Sequence, residues 1–265
     1  MFQKPRDIMQ VAAEYQPYFR ELGIDAEMIF KHPAIKPWRT LDDRDNCTLT
    51  FKTRDGKSIR WHIKRYKPTY GNTTPADDEL MGQRALVFEQ IPTVDIIGWG
   101  KLLSKRSFVI LADLEGFQAA DKLIESETPF DRLLIPTADM AAKLHRSGLH
   151  HRDLYLCHFF AKFDDAGNTD LRLIDTARVS RLNSALTRGR WIVKDLAQFW
   201  YSTMKLPITD EQRRAWLQRY GQQRQLKSVD SLQRKILRKV KWIAKHDAEL
   251  KQQQPQRNVS IPRAT

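Results

Sequence analysis

The segment His151-Arg152-Asp153 follows a helical pattern that stops near Gly148, which puts the Asp153 carboxylate on an exposed loop. Twenty-two residues later, Asp175 closes the short apolar run Leu171-Arg172-Leu173-Ile174-Asp175, a strand pattern that would aim a second carboxylate from a rigid element. Upstream, Lys64 sits in the alternating run 58–66, and Glu79 lies early in the helical pattern that follows. These residue types in this order suit phosphoryl transfer. That reaction needs a carboxylate to orient or deprotonate the attacking hydroxyl and a second carboxylate to hold Mg²⁺. It also needs a lysine, positioned by an acid, to steady the phosphates of ATP. Asp153 is therefore the candidate catalytic base, Asp175 a candidate metal ligand, and Lys64 with Glu79 candidate nucleotide-binding residues. Arg60, Lys57 and Arg65 compete with Lys64, and Asp77, Asp78 and Glu89 compete with Glu79. His145, His150, His151 and His158 fall within one short stretch. Zinc is disfavoured there, because no cysteine pair or His-x-x-x-His helical spacing accompanies them.

Two kinds of segment must position these groups. Runs 47–52 and 58–66 alternate apolar and polar residues and flank Arg54-Asp55-Gly56-Lys57, which reads as a β-hairpin. Residues 67–76 read as a loop, 77–90 as a helix, and 94–99 and 107–112 as two further strands. Past Gly116 the pattern turns helical, over 131–146, 191–204, 210–224 and 231–250. Pro136 is expected in the first turn of the first of these helices, and Gly148 just past its end. Residues 1–35 read as helical, from Ile8, Val11, Ala12 and Tyr15 at spacing three and four. Strands with one helix followed by helices describe an α+β chain in two lobes. The expected division is an N-terminal helical extension over 1–38, an N-lobe over 39–112, a C-lobe over 113–250 and a disordered tail over 251–265.

The chain of 265 residues is 41% hydrophobic and 29% charged, which suits a globular protein with a substantial core. No stretch approaches the ~20 apolar residues that span a bilayer, and the charged N-terminus does not read as a signal peptide. Two distant cysteines, Cys47 and Cys157, build no disulfide framework, so a reducing cytoplasm is expected. The net charge of +13 is unevenly placed. Residues 176–265 carry 20 Lys and Arg against 6 Asp and Glu, a net of +14, and the rest of the chain is close to neutral. An anionic partner is implied: phosphates, a phospholipid surface or an acidic substrate. Arg234, Lys235, Arg238, Lys239, Lys241 and Lys245 lie on helix 231–250 opposite its Leu/Ile stripe. They form either a solvated face or a docking face for anionic lipid, where each is worth ~1 kcal/mol. Nucleic acid is a poorer fit, since no aromatic RNA-binding strand or recognition-helix motif accompanies the charge. Trp191, Trp200, Trp216 and Trp242 are expected in the core.

The ordered series of strand lysine, helix glutamate, His-Arg-Asp and later aspartate is the one protein kinases use. A closer likeness lies in Gly148-Leu149-His150-His151-Arg152-Asp153-Leu154-Tyr155-Leu156-Cys157-His158-Phe159, which resembles the signature of the lipopolysaccharide kinase family. Leu173-Ile174-Asp175 with Ala177-Arg178, Arg190-Trp191 with Lys194-Asp195-Leu196, and Ala76-Asp77-Asp78-Glu79 fit the same family, over roughly residues 40–225. The resemblance implies a protein-kinase-like fold and use of ATP and Mg²⁺. It also implies phosphorylation of a lipid-linked sugar, such as a lipopolysaccharide core heptose or Kdo, at the inner face of the cytoplasmic membrane. Asp153 would be the base, Asp175 the metal ligand, Lys64 the phosphate lysine and Glu79 its partner. Ala112 and Leu114, in the run 107–114 that resembles the strand and hinge between lobes, would touch the nucleotide. His158 stands where protein kinases place a metal-binding Asn, and is a candidate metal ligand or phosphate donor. Asp195 would accept backbone hydrogen bonds from the catalytic loop. No glycine-rich loop precedes Lys64, so phosphate cradling would come from another turn, such as 42–46. A different acceptor for the same chemistry, and a non-catalytic binding protein of the same fold, are the alternatives.

Overall fold

In the computed structural model, residues 6–253 are described. They form two compact units. The first comprises residues up to 83 together with 94–115, and the second comprises 84–93 together with 116 onward.

The first unit is built on a six-stranded antiparallel sheet. Its strands are β1 (Ile8–Val11), β2 (Lys36–Thr40), β3 (Arg44–Lys52), β4 (Ser58–Tyr66), β5 (Ile96–Lys101) and β6 (Ser107–Ala112), in the order β1-β5-β6-β4-β3-β2. The alternation of β3 and β4 sets their register, with Cys47 opposite Ile63 and Leu49 opposite Trp61. That face is covered by α1 (Gln16–Leu22) and α2 (Met28–Lys31), giving a core of Phe19, Ile29, Ile35, Cys47, Leu49, Trp61, Ile63, Phe108 and Ile110. Trp61 is its centre: fully buried, stacked on Phe19 at 4.7 Å and met edge-on by Phe51 at 4.8 Å. The hairpin forms at Thr53–Lys57, with Gly56 at φ 82°.

Residues 8–11 are not helical, contrary to the three-and-four spacing of their apolar side chains. They pair with β5, Met9 opposite Gly100 and Val11 opposite Gly98. The glycines decide this. A Cβ on Gly100 would run into the Ile8 carbonyl and the Phe108 ring, and one on Gly98 would crowd the Gln10 carbonyl. Only glycine there lets an edge strand lie so close. Residues 44–46 belong to β3, so the turn between β2 and β3 is shorter than the 42–46 read from sequence.

Helix α3 (Pro75–Phe88) starts as its sequence dictates. Thr74 precedes Pro75, the Thr74 N–H donates to the Asp77 carboxylate at 2.7 Å, and the Asp77 N–H donates back to Thr74 Oγ1 at 3.3 Å.

The second unit carries α4 (Ala120–Glu125), α5 (Asp131–Arg146), α6 (Ala185–Thr203), α7 (Asp210–Gln223) and α8 (Asp230–Gln253). Three small antiparallel pairings accompany them: β7 (Gln118–Ala119) on β9 (Phe159–Phe163), β9 on β10 (Thr169–Leu173), and β8 (Leu149–His150) on β11 (Ser180–Arg181). Its core is aromatic at the centre, where Phe199 stacks on Trp216 at 4.0 Å and Trp216 on Tyr220 at 6.0 Å. The buried Trp216 indole donates to Thr137 Oγ1 at 2.9 Å.

Pro136 lies in the second turn of α5, not the first. A proline there removes the N–H that the Arg132 carbonyl would use. Thr169 Oγ1 supplies a donor at 3.3 Å instead. Helix α8 continues through Gln253, so 251–253 are helical rather than tail; residues 254–265 of the expected disordered tail lie outside the described residues. Trp200 and Trp216 are buried and Trp191 is half-buried, but Trp242 is 57% exposed. Ile236, Val240 and Ile243 make the buried stripe of α8, and Trp242 sits about a third of a turn away from it, with Lys239 Nζ 3.6 Å over its ring.

Candidate active site

In the first unit, β4 turns Trp61 and Ile63 to the core, and its other face presents Lys64 and Tyr66 two residues apart. Lys64 Nζ meets the Glu79 carboxylate at 2.8 Å, and the Tyr66 hydroxyl donates to the same oxygen at 3.1 Å. Glu79, in the second turn of α3, is fully buried, so this cation and hydroxyl are what let its charge leave water. Three of the rival groups are engaged elsewhere. Arg60 pairs with Asp113, Arg65 donates to the Ile35 carbonyl, and Asp77 pairs with Lys101. Ala112 closes β6, its N–H donating to the Asp95 carbonyl at 2.9 Å. Leu114 follows two residues on, and Asp113 between them is clamped by Arg60 at 2.9 Å and His62 at 2.8 Å. Burial alone would raise the Asp113 pKa, but the bonds from His62 and Arg60 outweigh it and hold it below the usual value.

In the second unit, α5 stops at Ser147 and Gly148, whose φ of 72° suits glycine, and the chain enters β8. The next residues form a loop whose shape is set from below by a single buried carboxylate. Asp195, on α6, is fully buried and accepts the His151 N–H at 2.7 Å and the Arg152 N–H at 2.8 Å. His145 Nε2 lies 3.2 Å away, and its Nδ1 is bonded to the Tyr220 hydroxyl at 2.8 Å. Burial would raise the Asp195 pKa; the His145 bond and the backbone donors reverse that and leave it lowered. Held this way, Arg152 adopts φ 68°, a conformation non-glycine residues seldom take, and the chain turns so that Asp153 faces outward.

The Asp153 carboxylate is one-fifth exposed. Arg178 Nη1 reaches both its oxygens, at 3.1 and 3.0 Å, and Gln198 Nε2 donates to Oδ1 at 3.3 Å. Gln198 also accepts the Leu154 N–H at 3.3 Å, so one amide fixes the loop and the carboxylate together. Asp175 lies two residues beyond β10 rather than at its end, at φ 64° and ψ 66°. His151 ties the two acidic segments together: its Nε2 donates to the Ile174 carbonyl at 3.0 Å. His158 does the same from the other side, with Nδ1 donating to the Asp153 carbonyl at 2.6 Å and Nε2 3.7 Å from the Asp175 carboxylate. Burial pushes the His158 pKa down, but Cys157, the Asp175 charge and the Asp153 carbonyl prevail and raise it to about 10.

The lipopolysaccharide kinase (Kdo/WaaP) family model matches residues 51–220, which contain all of these groups. The chain belongs to that family. The lipopolysaccharide core heptose(I) kinase WaaP of Escherichia coli (strain K12) is 30% identical over 218 residues, 73% of this chain and 80% of that one. The protein of the same name from Pseudomonas aeruginosa PAO1 is 33% identical over 91 residues, a third of each chain. A crystal structure of WbdD aligns at 15% identity with a TM-score of 0.44, covering 78% of this chain and 50% of that one. As a member of the family the chain is a phosphotransferase, a kinase of lipopolysaccharide biosynthesis with a kinase-like α+β fold.

For a family member, the structure places the residues singled out from sequence as follows. Lys64 and Glu79 are in direct contact in the first unit. Asp153, Asp175 and His158 are gathered in the second. Tyr66, Arg178 on Asp153, and Gln198 had no assigned part in the sequence reading. Tyr66 was within reach, since it shares the Lys64 face by the two-residue period, whereas the Arg178 and Gln198 contacts join segments 25 and 45 residues apart. The other clustered histidines go to separate partners, His150 to Ser180 and His145 to Tyr220 and Asp195. Among the described residues no three His, Cys, Asp or Glu side chains converge as a metal cage. A single partly exposed carboxylate such as Asp175 fits Mg²⁺, which keeps most of its waters and binds through one or two carboxylates and the phosphates of a nucleotide.

Proposed function

We propose that this kinase transfers the γ-phosphate of ATP, with Mg²⁺, to a sugar hydroxyl of a lipopolysaccharide core, a heptose or Kdo, or of a related glycolipid. The observation that carries the reading is the loop geometry. A buried Asp195 forces residues 151–153 into a strained turn that delivers a partly exposed Asp153 carboxylate beside Asp175, within the region that matches the family.

In this reading Asp153 accepts the proton of the acceptor hydroxyl as that oxygen attacks the γ-phosphorus. Arg178 and Gln198 fix the carboxylate, and Arg178 yields one oxygen to the hydroxyl when the acceptor binds. Asp175 holds the metal, which when bound neutralises phosphate charge. Lys64, oriented by Glu79 and Tyr66, binds the nucleotide phosphates. Ala112 and Leu114 touch the nucleotide, with Asp113 stiffening that segment. His158 keeps Nδ1 on the Asp153 carbonyl and offers Nε2 to Asp175 or a phosphate oxygen. The relatives' names supply the acceptor class. Among the described residues no helix is long and apolar enough to cross a membrane. Cytoplasmic action at the inner membrane face, aided by the basic residues of α8, completes the proposal.

Labelled γ-phosphate should pass from ATP to purified lipopolysaccharide core glycolipid at least ten times faster than to free soluble sugars. Equal rates on both would reject the glycolipid as acceptor. Lys64→Met should lower kcat/KM for ATP by roughly 10²-fold, since about 2.7 kcal/mol of phosphate contact is removed, and should also cost roughly 3–5 kcal/mol of stability, because the buried Glu79 carboxylate loses its cation. An unchanged kcat/KM would remove Lys64 from the nucleotide site.

A further inference from the structure

Trp191, in the second turn of α6, is surrounded by cations that have no acid partner. Arg152 Cζ lies 4.9 Å from its ring centre, Arg190 Cζ 5.6 Å and Lys194 Nζ 5.7 Å. The fourth neighbour, His150, stacks on the ring at 5.0 Å, and burial pushes its pKa down to about 4, so it adds no charge at neutral pH and no anion either. Among the described residues none of these three cations forms an ion pair, and Arg152 Nε is buried without a hydrogen-bond partner. The nearest acids are spoken for. Asp195 is enclosed by His145 and two backbone N–H groups, and Asp153 is held by Arg178.

Arg152 and Lys194 are partly buried and Arg190 is exposed; the three like charges repel one another, and the ring face offsets only part of that. The strain shows at Lys194: desolvation and the charges of Arg178 and Arg152 lower its pKa against the pull of Asp153 and Asp195. Such an arrangement is stable in use when an anion arrives to be shared, and guanidinium groups with an ammonium are the donors that phosphate and carboxylate favour. Arg152 adjoins Asp153 in the chain, and the coupling of Lys194 to Asp153 and Arg178 puts the cluster near the proposed base.

We propose that Arg152, Arg190 and Lys194, gathered round Trp191, form a subsite for an anionic substituent of the acceptor, a phosphate or carboxylate on the sugar that is phosphorylated or on its neighbour. This rests on the acceptor being a glycolipid core, as proposed above, and adds that the enzyme selects a core already carrying negative charge. The ring anchors the cations, the anion sets the register of the sugar, and the hydroxyl is thereby brought to Asp153.

The test uses the whole chain and a deacylated lipopolysaccharide core oligosaccharide in two forms: native, with its phosphates and acidic sugars, and dephosphorylated with its carboxyls reduced. Binding is measured by calorimetry without nucleotide, so the readout does not depend on turnover. Wild type should bind the native form about tenfold or more tighter than the neutralised one, the scale of one charge-assisted contact. Arg190→Gln with Lys194→Gln should bind both forms alike, at the neutralised level, with ATP affinity unchanged. The proposal is overturned if wild type binds the two forms equally, if it binds neither, or if the double variant keeps the full preference. Inorganic phosphate alone serves as the other source of the anion: binding as tight as the native oligosaccharide would make this a free-phosphate site and overturn the acceptor assignment. Phosphate transfer to the native oligosaccharide is scored separately. Its absence with the binding preference intact would sink the glycolipid-kinase reading and leave the subsite standing, and its presence without the preference would sink the subsite alone.

Discussion

Asp153→Asn should lower kcat by roughly 10²–10⁴-fold, the range a lost general base produces, while leaving the folded protein almost as stable as before. Asparagine keeps the shape of the side chain. It can still accept from Gln198 Nε2 and from Arg178, so the loop is not forced to rearrange. What goes is the negative charge that, in the proposed mechanism, takes the acceptor proton. The Arg178 guanidinium, half exposed, loses its ion partner to water, which costs at most about 1 kcal/mol. Steady-state transfer rates and a thermal melt on the same preparation separate the two effects. Full turnover by this variant would take Asp153 out of the chemistry; a collapse of the melt would show its charge to be structural.

Asp195→Ala should destabilise the protein by about 3–5 kcal/mol, as expected for removing one partner from a buried, charged hydrogen-bond group. The substitution leaves the His151 and Arg152 N–H groups without acceptors inside the fold and strands His145 with Tyr220 alone. It also removes what holds Arg152 at φ 68°, so residual activity should fall even in the folded fraction. The effect has a pH signature. The Asp195 pKa is lowered on folding, so its contribution is fully present above the unfolded carboxylate value of about 3.9 and is lost as pH falls through the folded value. Urea unfolding should therefore show the gap between wild type and variant at pH 7 and a narrowing gap below about pH 4. A difference of under 1 kcal/mol at pH 7, or one that widens in acid, would contradict the role given to Asp195.

The parts of this fold visible in sequence are those governed by local rules. Strands β4 and β6 and helix α5 keep the limits read from alternation, helical spacing and the Gly148 stop, because each has one buried face and a sharp end. The strand at 8–11 is not legible locally, because Gly98 and Gly100 decide its fate, not its own side chains. Strand β9 escapes for a related reason, although its partner β10 overlaps the run 171–175 that reads as a strand. Phe159-Phe160-Ala161-Lys162-Phe163 has a weak alternation and gains its partners only from β7 and β10. At the site, the acids and Lys64 could be picked out by type and order. Of their fastening, the Asp195 bonds to the loop follow from the family resemblance and are present in the structure, whereas the Arg178 grip on Asp153 is not visible in sequence because it joins segments 25 residues apart. Trp242 shows the limit of composition. Residue type alone favours the core for a tryptophan, whereas its angular position on α8 puts it in water beside Lys239.

The division of labour between the two acids is the claim on which everything else depends. It is tested by calorimetric titration of ATP, with and without Mg²⁺, into wild type, Asp153→Asn and Asp175→Asn. Asp153→Asn should bind the metal–nucleotide as wild type does and yet transfer no phosphate at a comparable rate. Asp175→Asn should lose the gain in affinity that Mg²⁺ gives. If Asp175→Asn retains that gain, or Asp153→Asn is the variant that loses it, the roles assigned to these carboxylates are wrong.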